Sequence, residues 1–188
     1  MTVKLDLAHY VTDEELITLS ERNPGYQFER TAEGRLVVSP TGSESGRRSG
    51  EVFGQLRDWN RQTGLGYVFD SSTGFHLPDG SVLCPDASWV RRDRWEALPR
   101  KAREGLAPLC PDAVFEVRSP SQTVAELREK MEAYLANGAR LAVILDPEAR
   151  TVEVYRPGRE PERHEDPAAV SLDPELPGFR MEPGPVFS

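Results

Sequence analysis

The chain has 188 residues with a formal net charge of −8, and its proportions of hydrophobic and charged residues are those of a globular protein. This length predicts one domain over residues 1–188. The negative charge argues against a broad basic surface of the kind that binds duplex DNA through its phosphates. No stretch approaches the roughly 20 apolar residues that cross a bilayer, and the first residues lack an apolar signal segment. We therefore expect a cytoplasmic protein without membrane contact.

The predicted elements begin with a short helix over residues 11–19, in which Thr12 as N-cap and Glu15 three residues later form a capping-box pattern. Two β-type runs follow at residues 26–30 and 35–39, and the short connection between them predicts a hairpin. The fold is thus expected to open with a helix and a hairpin.

A longer helix is predicted from residue 43 to about residue 62, because the apolar residues recur there at three- and four-residue steps, as Val52, Phe53, Leu56 and Trp59. Strand-like segments follow at residues 67–71, 74–77 and 86–90. The charged stretch at residues 91–105 predicts a surface helix that ends in a loop.

The second half of the chain alternates strands with a helix. Strands are predicted at residues 113–117, 141–145 and 151–155, and a helix at residues 124–136. The tail from 155 to 188 is rich in Pro, Gly and acidic residues, so we expect it to be largely irregular and packed on the core. Together these elements predict an α/β (α+β) fold with a central mixed β-sheet flanked by helices.

Two acidic residues lie on predicted strands. Asp86 opens the run Asp86–Val90, and Glu116 lies within the apolar run Ala113–Val117. Because an unpaired buried carboxylate is costly, Glu116 needs a cation, a hydrogen-bond donor or a metal, unless it faces solvent. Mg²⁺ commonly takes one or two protein carboxylates, so the two acids together indicate a candidate metal site. An arginine or lysine partner, or an exposed face, is the alternative.

A third group comes from the predicted helix at residues 124–136. Lys130 lies at the margin of an apolar stripe, so its stem can pack inward while its ammonium reaches a cleft. There it could orient a water or stabilise the charge that develops on a phosphate. A surface lysine paired with Glu126 on the same helix fits the spacing as well.

Motifs spread over nearly the whole chain carry a family resemblance. They are Gly34–Pro40, Cys84-Pro85-Asp86, Pro111–Ser121, Lys130 with Tyr134 and Gly138, Leu145-Asp146-Pro147, Val152–Tyr155 and Leu176–Phe179. With these motifs the chain resembles the Uma2 family of restriction-type endonucleases, within the PD-(D/E)xK nuclease superfamily. The specific core is Glu-Val-x-Ser-Pro-Ser, which begins at Glu116.

The resemblance implies a restriction-endonuclease-like core in which Asp86 and Glu116 are the two metal ligands. Arg118 stands where the superfamily motif has lysine, and because arginine stays protonated it is a poor general base. In this family the lysine lies on the following helix, and Lys130 is the matching position. Asp112, only four residues before Glu116, is interpreted as a strand-entry or capping residue.

Superfamily members often add one further acid from an early element, and Glu51 and Glu29 are the candidates here. Contacts with phosphates are expected from arginines, namely Arg118, Arg47 and Arg48. A solvated face is the alternative for the two arginines of the long helix.

These observations predict a metal-dependent endonuclease that hydrolyses phosphodiester bonds with a metal-activated water, Mg²⁺ or Mn²⁺ being the cofactor. The resemblance implies a nucleic-acid substrate, DNA first, and a homodimer. Two rivals stay open: a non-catalytic module that keeps the fold to bind nucleic acid or protein, and an assembly protein whose acids only neutralise buried arginines.

Overall fold

The computed structural model describes residues 2–7 and 9–188. Its helices are α1 (Asp13–Arg22), α2 (Ser43–Thr63), α3 (Arg92–Ala97), α4 (Arg100–Arg103), α5 (Val124–Ala136) and α6 (Gly184–Phe187). Its strands are β1 (Val3–Leu5), β2 (Tyr26–Arg30), β3 (Leu36–Pro40), β4 (Gly66–Asp70), β5 (Phe75–His76), β6 (Val82–Leu83), β7 (Ala87–Arg91), β8 (Ala113–Val117), β9 (Leu141–Asp146), β10 (Thr151–Tyr155), β11 (Glu162–Glu165), β12 (Val170–Ser171) and β13 (Arg180–Met181).

The central sheet has six strands in the order β11-β10-β9-β8-β7-β4. The pair β8–β9 is parallel and the other neighbours are antiparallel, so the sheet is mixed, as predicted. The parallel pair requires a crossover connection, and α5 supplies it. Helix α2 packs on one face through Val52 and Leu56, and α5 packs on the other through Leu127 and Met131. The predicted central sheet flanked by helices is therefore confirmed.

A second, five-stranded sheet has the order β1-β3-β2-β6-β5, and the predicted hairpin forms its middle as β2 and β3. Helix α1 covers one face, where Val11, Leu16, Phe28 and Leu36 form a small core. The predicted capping box is present: the Thr12 hydroxyl accepts from the Glu15 N–H at 3.2 Å, and the Glu15 carboxylate accepts from the Thr12 N–H at 2.8 Å. Sequence analysis missed the two-residue strand β6, which is too short to show a periodicity.

Strand alternation positions the acidic residue of β8. Phe115 and Val117 point into the core under α2, whereas Val114 belongs to the core under α5. Because neighbouring side chains alternate between faces, Glu116 shares the α5 side with Val114. A carboxylate is thereby introduced beneath helix α5.

The C-terminal tail first adds the edge strand β11 to the central sheet, and its residues from Val170 onward pack against the α2 face of that sheet. It contains the short elements β11, β12, β13 and α6, with irregular segments between them. Phe179 contacts Trp59 at 5.6 Å between ring centroids, and the Trp59 indole donates to the Pro177 carbonyl at 3.0 Å. No helix in the described part of the chain is both long and apolar enough to cross a membrane.

The packing of the tail can be measured through Phe179, which is 3% exposed. We expect Phe179→Ala to lower the free energy of unfolding by about 3–5 kcal/mol, because it removes a buried ring and leaves a cavity beside Trp59. Urea unfolding followed by tryptophan fluorescence measures the change. Tyr26→Ala, at a site that is 53% exposed, serves as the control. A loss below about 1 kcal/mol for Phe179→Ala would show that the tail adds little to the core.

Candidate active site

The two predicted metal ligands lie on adjacent antiparallel strands. Ala87 of β7 pairs with Phe115 of β8, and continuing this register by one residue places Asp86 opposite Glu116. Directly opposite residues share a face of the sheet, with Cβ atoms about 4.5–5.5 Å apart. Two acids that lie 30 positions apart in sequence are therefore neighbours at the end of this strand pair.

Asp86 is held by the backbone of the opposite strand. Its Oδ2 accepts a hydrogen bond from the Val117 N–H at 2.7 Å, and its side chain reaches a cleft and stays partly exposed there. Burial raises the pKa of Asp86 to about 6, against the opposing effects of the Val117 N–H and of the Lys130 ammonium. The carboxylate is oriented through one oxygen.

Glu116 is buried, with 3% exposure, and two groups of α5 contact it. Its Oε1 lies 2.8 Å from the Lys130 Nζ and accepts a hydrogen bond from the Tyr134 hydroxyl at 3.1 Å. Burial raises its pKa to about 8; the Lys130 ammonium opposes the rise, and the charges of Asp86 and Glu29 add to it. The cation partner that the sequence required for Glu116 is thus Lys130.

Lys130 bridges two carboxylates from different sheets. Its Nζ lies 2.9 Å from Glu29 Oε1 as well as 2.8 Å from Glu116 Oε1, and its side chain is 16% exposed. Burial alone would lower the pKa of Lys130, but the two carboxylates outweigh it and raise that pKa above its ordinary value. The group is therefore a fixed ammonium and not a base. Glu126, the alternative partner, contacts Lys4 and caps α5 instead.

Glu29 joins the site from the first hairpin. Its Oε1 also accepts a hydrogen bond from the Cys84 N–H at 2.7 Å, which ties strand β2 to the turn that carries Asp86. Burial raises the pKa of the Cys84 thiol far above its ordinary value, so this thiol stays neutral. Three carboxylates thus surround one ammonium, and this excess negative charge suits a divalent cation.

The donor set fits a cation of the magnesium type. In the described ranges, 2–7 and 9–188, Asp86 Oδ1 and Glu116 Oε2 make no hydrogen bond, and both residues line the cleft. Within the same ranges, no group of three or more His, Cys, Asp or Glu residues is arranged to hold a metal. The candidate site therefore rests on two carboxylates, the number that Mg²⁺ commonly takes from a protein, with water and substrate oxygens as the other ligands.

The cleft beside these acids has a volume of about 100 Å³. Hydroxyl side chains line much of it, as Thr2, Ser39, Thr41, Ser45, Ser49, Ser71, Ser119 and Ser121. Among the residues that the structure describes, no arginine lines this cleft, and Lys130 is its only cationic group. The hydroxyl groups of its lining can donate neutral hydrogen bonds, and the Lys130 ammonium can donate a charged one.

The structure does not bring Glu51 to the cleft. Helix α2 buries Ser49, Val52 and Leu56, and this orientation turns Glu51 to the exposed face. Of the two early acids considered, Glu29 reaches the site and Glu51 does not. Asp112 accepts from the Arg91 N–H at 2.9 Å and pairs with Arg94 at 3.0 Å, which agrees with its interpretation as a strand-entry residue.

The three predicted phosphate-binding arginines also lie outside the cleft lining. Arg47 pairs with Glu44 and donates to the Pro185 carbonyl at 2.9 Å, and Arg48 lies 3.0 Å from the same Glu44. The Arg118 guanidinium contacts the carboxylates of Asp146 and Glu148. Carboxylate partners thus already engage all three side chains.

Sequence analysis missed the polar role of Tyr134, which was assigned to the apolar stripe of α5. Its ring is fully buried, as in an apolar residue, but its hydroxyl donates a hydrogen bond to Glu116. The N-cap of α5 is Thr123, which forms a capping box with Glu126 and was not predicted. The signal was available, since Thr123 and Glu126 have the spacing of that motif.

The fold and the paired acids define the class of protein. The structure is similar to a solved structure described as a "putative nuclease belonging to DUF820" from Anabaena variabilis ATCC 29413, with a TM-score of 0.72 and 22% identity over 86% of this chain and 89% of that one. This likeness shows that the two proteins share a fold. The family model Uma2, described as "Putative restriction endonuclease", matches residues 13–184, so the chain belongs to the Uma2 family. No curated protein matches the chain.

Proposed function

We propose that the protein is a metal-dependent endonuclease that hydrolyses phosphodiester bonds of nucleic acid, with Asp86 and Glu116 as the ligands of Mg²⁺ or Mn²⁺. The observation that carries the proposal is the pair of opposed carboxylates beside the buried Lys130 ammonium, each with one oxygen that accepts no hydrogen bond from residues 2–7 and 9–188. DNA is the proposed substrate, the cytoplasm the proposed compartment and a homodimer the proposed assembly.

A divalent cation held by these carboxylates would polarise a phosphoryl oxygen and lower the pKa of an attacking water. The chain contributes the rest. Lys130 places a fixed positive charge where negative charge develops on the phosphate, and Tyr134 and Lys130 together hold Glu116 through one oxygen. The Val117 N–H likewise holds the Asp86 carboxylate through one oxygen. Hydroxyl groups of the cleft would position the phosphate through neutral hydrogen bonds.

A non-catalytic module that binds nucleic acid or protein is the second candidate. Its protein-binding form is favoured by the charge of −8 and by the arginines Arg47, Arg48 and Arg118, because guanidinium groups already paired with carboxylates contact phosphates poorly. Both candidates use the same cleft, so the difference between them is chemical turnover.

Calorimetry and a cleavage assay test the proposal. We expect wild-type protein to take up Mn²⁺ at one site and to cleave a mixture of single-stranded and duplex oligonucleotides. Asp86→Asn should weaken Mn²⁺ binding by about tenfold or more and reduce cleavage by about 10²-fold or more, because it removes a negative ligand. Asp58→Asn, at an exposed position of α2 outside the cleft, is the control. Mn²⁺ uptake without cleavage would favour the binding module, and no uptake would refute the metal site.

A further inference from the structure

A second cavity, of about 280 Å³, lies next to the catalytic cleft. It lies between helix α5 and the face of the five-stranded sheet that α1 does not cover, and it is open to solvent on one side. Glu29 and Lys130 line both spaces and so form the boundary between them. Its volume lies just below the range of about 300–1,000 Å³ that is usual for sites of small molecules. The cavity has room for one small planar group.

Charged and polar side chains share with Val37 and Leu83 the sheet face that lines this cavity. The register Lys4↔Val37↔Glu29 crosses three strands, and two of its three residues are charged. On the opposite face, Phe28, Leu36 and Val82 pack against α1. A helix lying on a sheet usually excludes water by apolar packing. The polar face opposite α5 therefore has a different purpose from core formation.

Polar contacts hold α5 across this cavity at three places. Lys4 pairs with Glu126 at 3.3 Å, Lys130 pairs with Glu29 at 2.9 Å, and the Asn137 amide donates to Asp79 at 2.8 Å. Val37, Leu83 and Leu127 supply an apolar surface within it. The cavity thus combines apolar walls with a polar rim, as binding sites for small planar groups do.

The charges of the rim restrict what can enter. Five carboxylates line the cavity against two ammonium groups; they belong to Glu29, Glu33, Asp79, Glu126 and Glu129. A phosphate group would be repelled, because like charges at short range disfavour each other. An uncharged group that carries amino donors matches the acceptors. The exocyclic amino groups of adenine, cytosine and guanine have this chemistry, whereas thymine lacks one.

We infer that this cavity receives one unpaired nucleobase of the strand whose phosphodiester lies in the catalytic cleft. The inference rests on the proposed function and names its substrate class: single-stranded or locally unpaired nucleic acid. A base can enter the cavity only outside the stack of a duplex, and extruding a paired base costs a few kcal/mol. The cleft, with about 100 Å³ and Lys130 as the only cation in its described lining, also suits one strand better than two.

Fluorescence of 2-aminopurine tests this inference directly. An oligothymidylate with one central 2-aminopurine is titrated with the full chain in Ca²⁺, as a single strand and after annealing to its complement. Ala133→Phe narrows the cavity at a residue that is not part of the described cleft lining, and Ala136→Phe makes the same change on α5 outside the cavity lining. We expect Ala133→Phe to weaken single-strand binding by about tenfold or more and Ala136→Phe to leave it unchanged. The duplex should bind about tenfold more weakly than the single strand.

Equal binding by wild type and Ala133→Phe, or equal binding of single strand and duplex, would overturn the inference. If Ala133→Phe does not fold, Ala133→Leu gives the same comparison with a smaller side chain. Mn²⁺ calorimetry and gel cleavage are run on the same proteins. If the wild-type protein neither takes up Mn²⁺ nor cleaves, the hydrolytic function is refuted. If it does both, but the 2-aminopurine signal is the same for wild type and Ala133→Phe, only the base-binding cavity is refuted.

Discussion

Lys130→Met is expected to separate cleavage from metal binding. Cleavage should fall by about 10²–10³-fold, because the fixed ammonium that stabilises negative charge on the phosphate is lost. Affinity for Mn²⁺ should stay the same or increase, since Lys130 neutralises Glu116 at 2.8 Å and so opposes the cation. Single-turnover cleavage and Mn²⁺ calorimetry measure the two effects.

The same substitution should destabilise the metal-free protein. Above about pH 8, where Glu116 is ionised, the buried Glu29 and Glu116 would lose their shared cation, and breaking a buried pair costs about 3–5 kcal/mol. Mn²⁺ should restore part of this loss by binding the native state. Lys101→Met, on the exposed helix α4, is the control. Cleavage within about threefold of wild type would exclude Lys130 from the chemistry.

Much of the site could be predicted because buried charge needs compensation. Glu116 lies in a run of apolar residues, and Lys130 lies at the edge of an apolar stripe. Each is therefore a charged residue next to apolar ones, and such a charge needs a partner. The family resemblance connected the two. What the sequence did not contain was the register of β7 on β8, which makes Asp86 and Glu116 neighbours.

The choice between Glu29 and Glu51 depended on tertiary orientation. Alternation along β2 puts Glu29 on the face opposite Phe28, but either face could have packed on α1. The helical period of α2 would have placed Glu51 beside its buried stripe and not within it. The packing of both sheets against α5 then decided which acid meets Lys130, and such long-range contacts leave no local periodicity.

The tail illustrates the same difficulty. Its residues show no clear period, yet Leu172, Leu176 and Phe179 are buried against the α2 face. Proline and glycine interrupt the local pattern, so the elements are too short to recognise. The usable signal was its leucine and aromatic residues, two of which, Leu176 and Phe179, bound a motif of the family resemblance.

Affinity for Mn²⁺ is expected to increase with pH. Burial raises the pKa of Glu116 to about 8 and that of Asp86 to about 6 in the metal-free protein, so the cation must displace protons at neutral pH. The dissociation constant should decrease by roughly tenfold per pH unit between these two values and level off above pH 8. Calorimetry in buffers of different ionisation enthalpy measures both the affinity and the released proton. A pH-independent affinity from pH 6 to 8 would contradict the protonation of Glu116.

Folding stability should show the opposite trend in the absence of metal. The pKa of Glu116 is higher in the folded chain than its ordinary value of 4.5, so the folded state holds more protons on this group between pH 4.5 and about 8. Its contribution to the free energy of unfolding is therefore present below that window and lost as pH rises through it. Glu116→Gln imitates the protonated acid and should match wild type near pH 5 but unfold at a higher temperature than wild type above pH 8. Glu132→Gln, exposed on α5, should follow wild type throughout, because its charge meets solvent in both states.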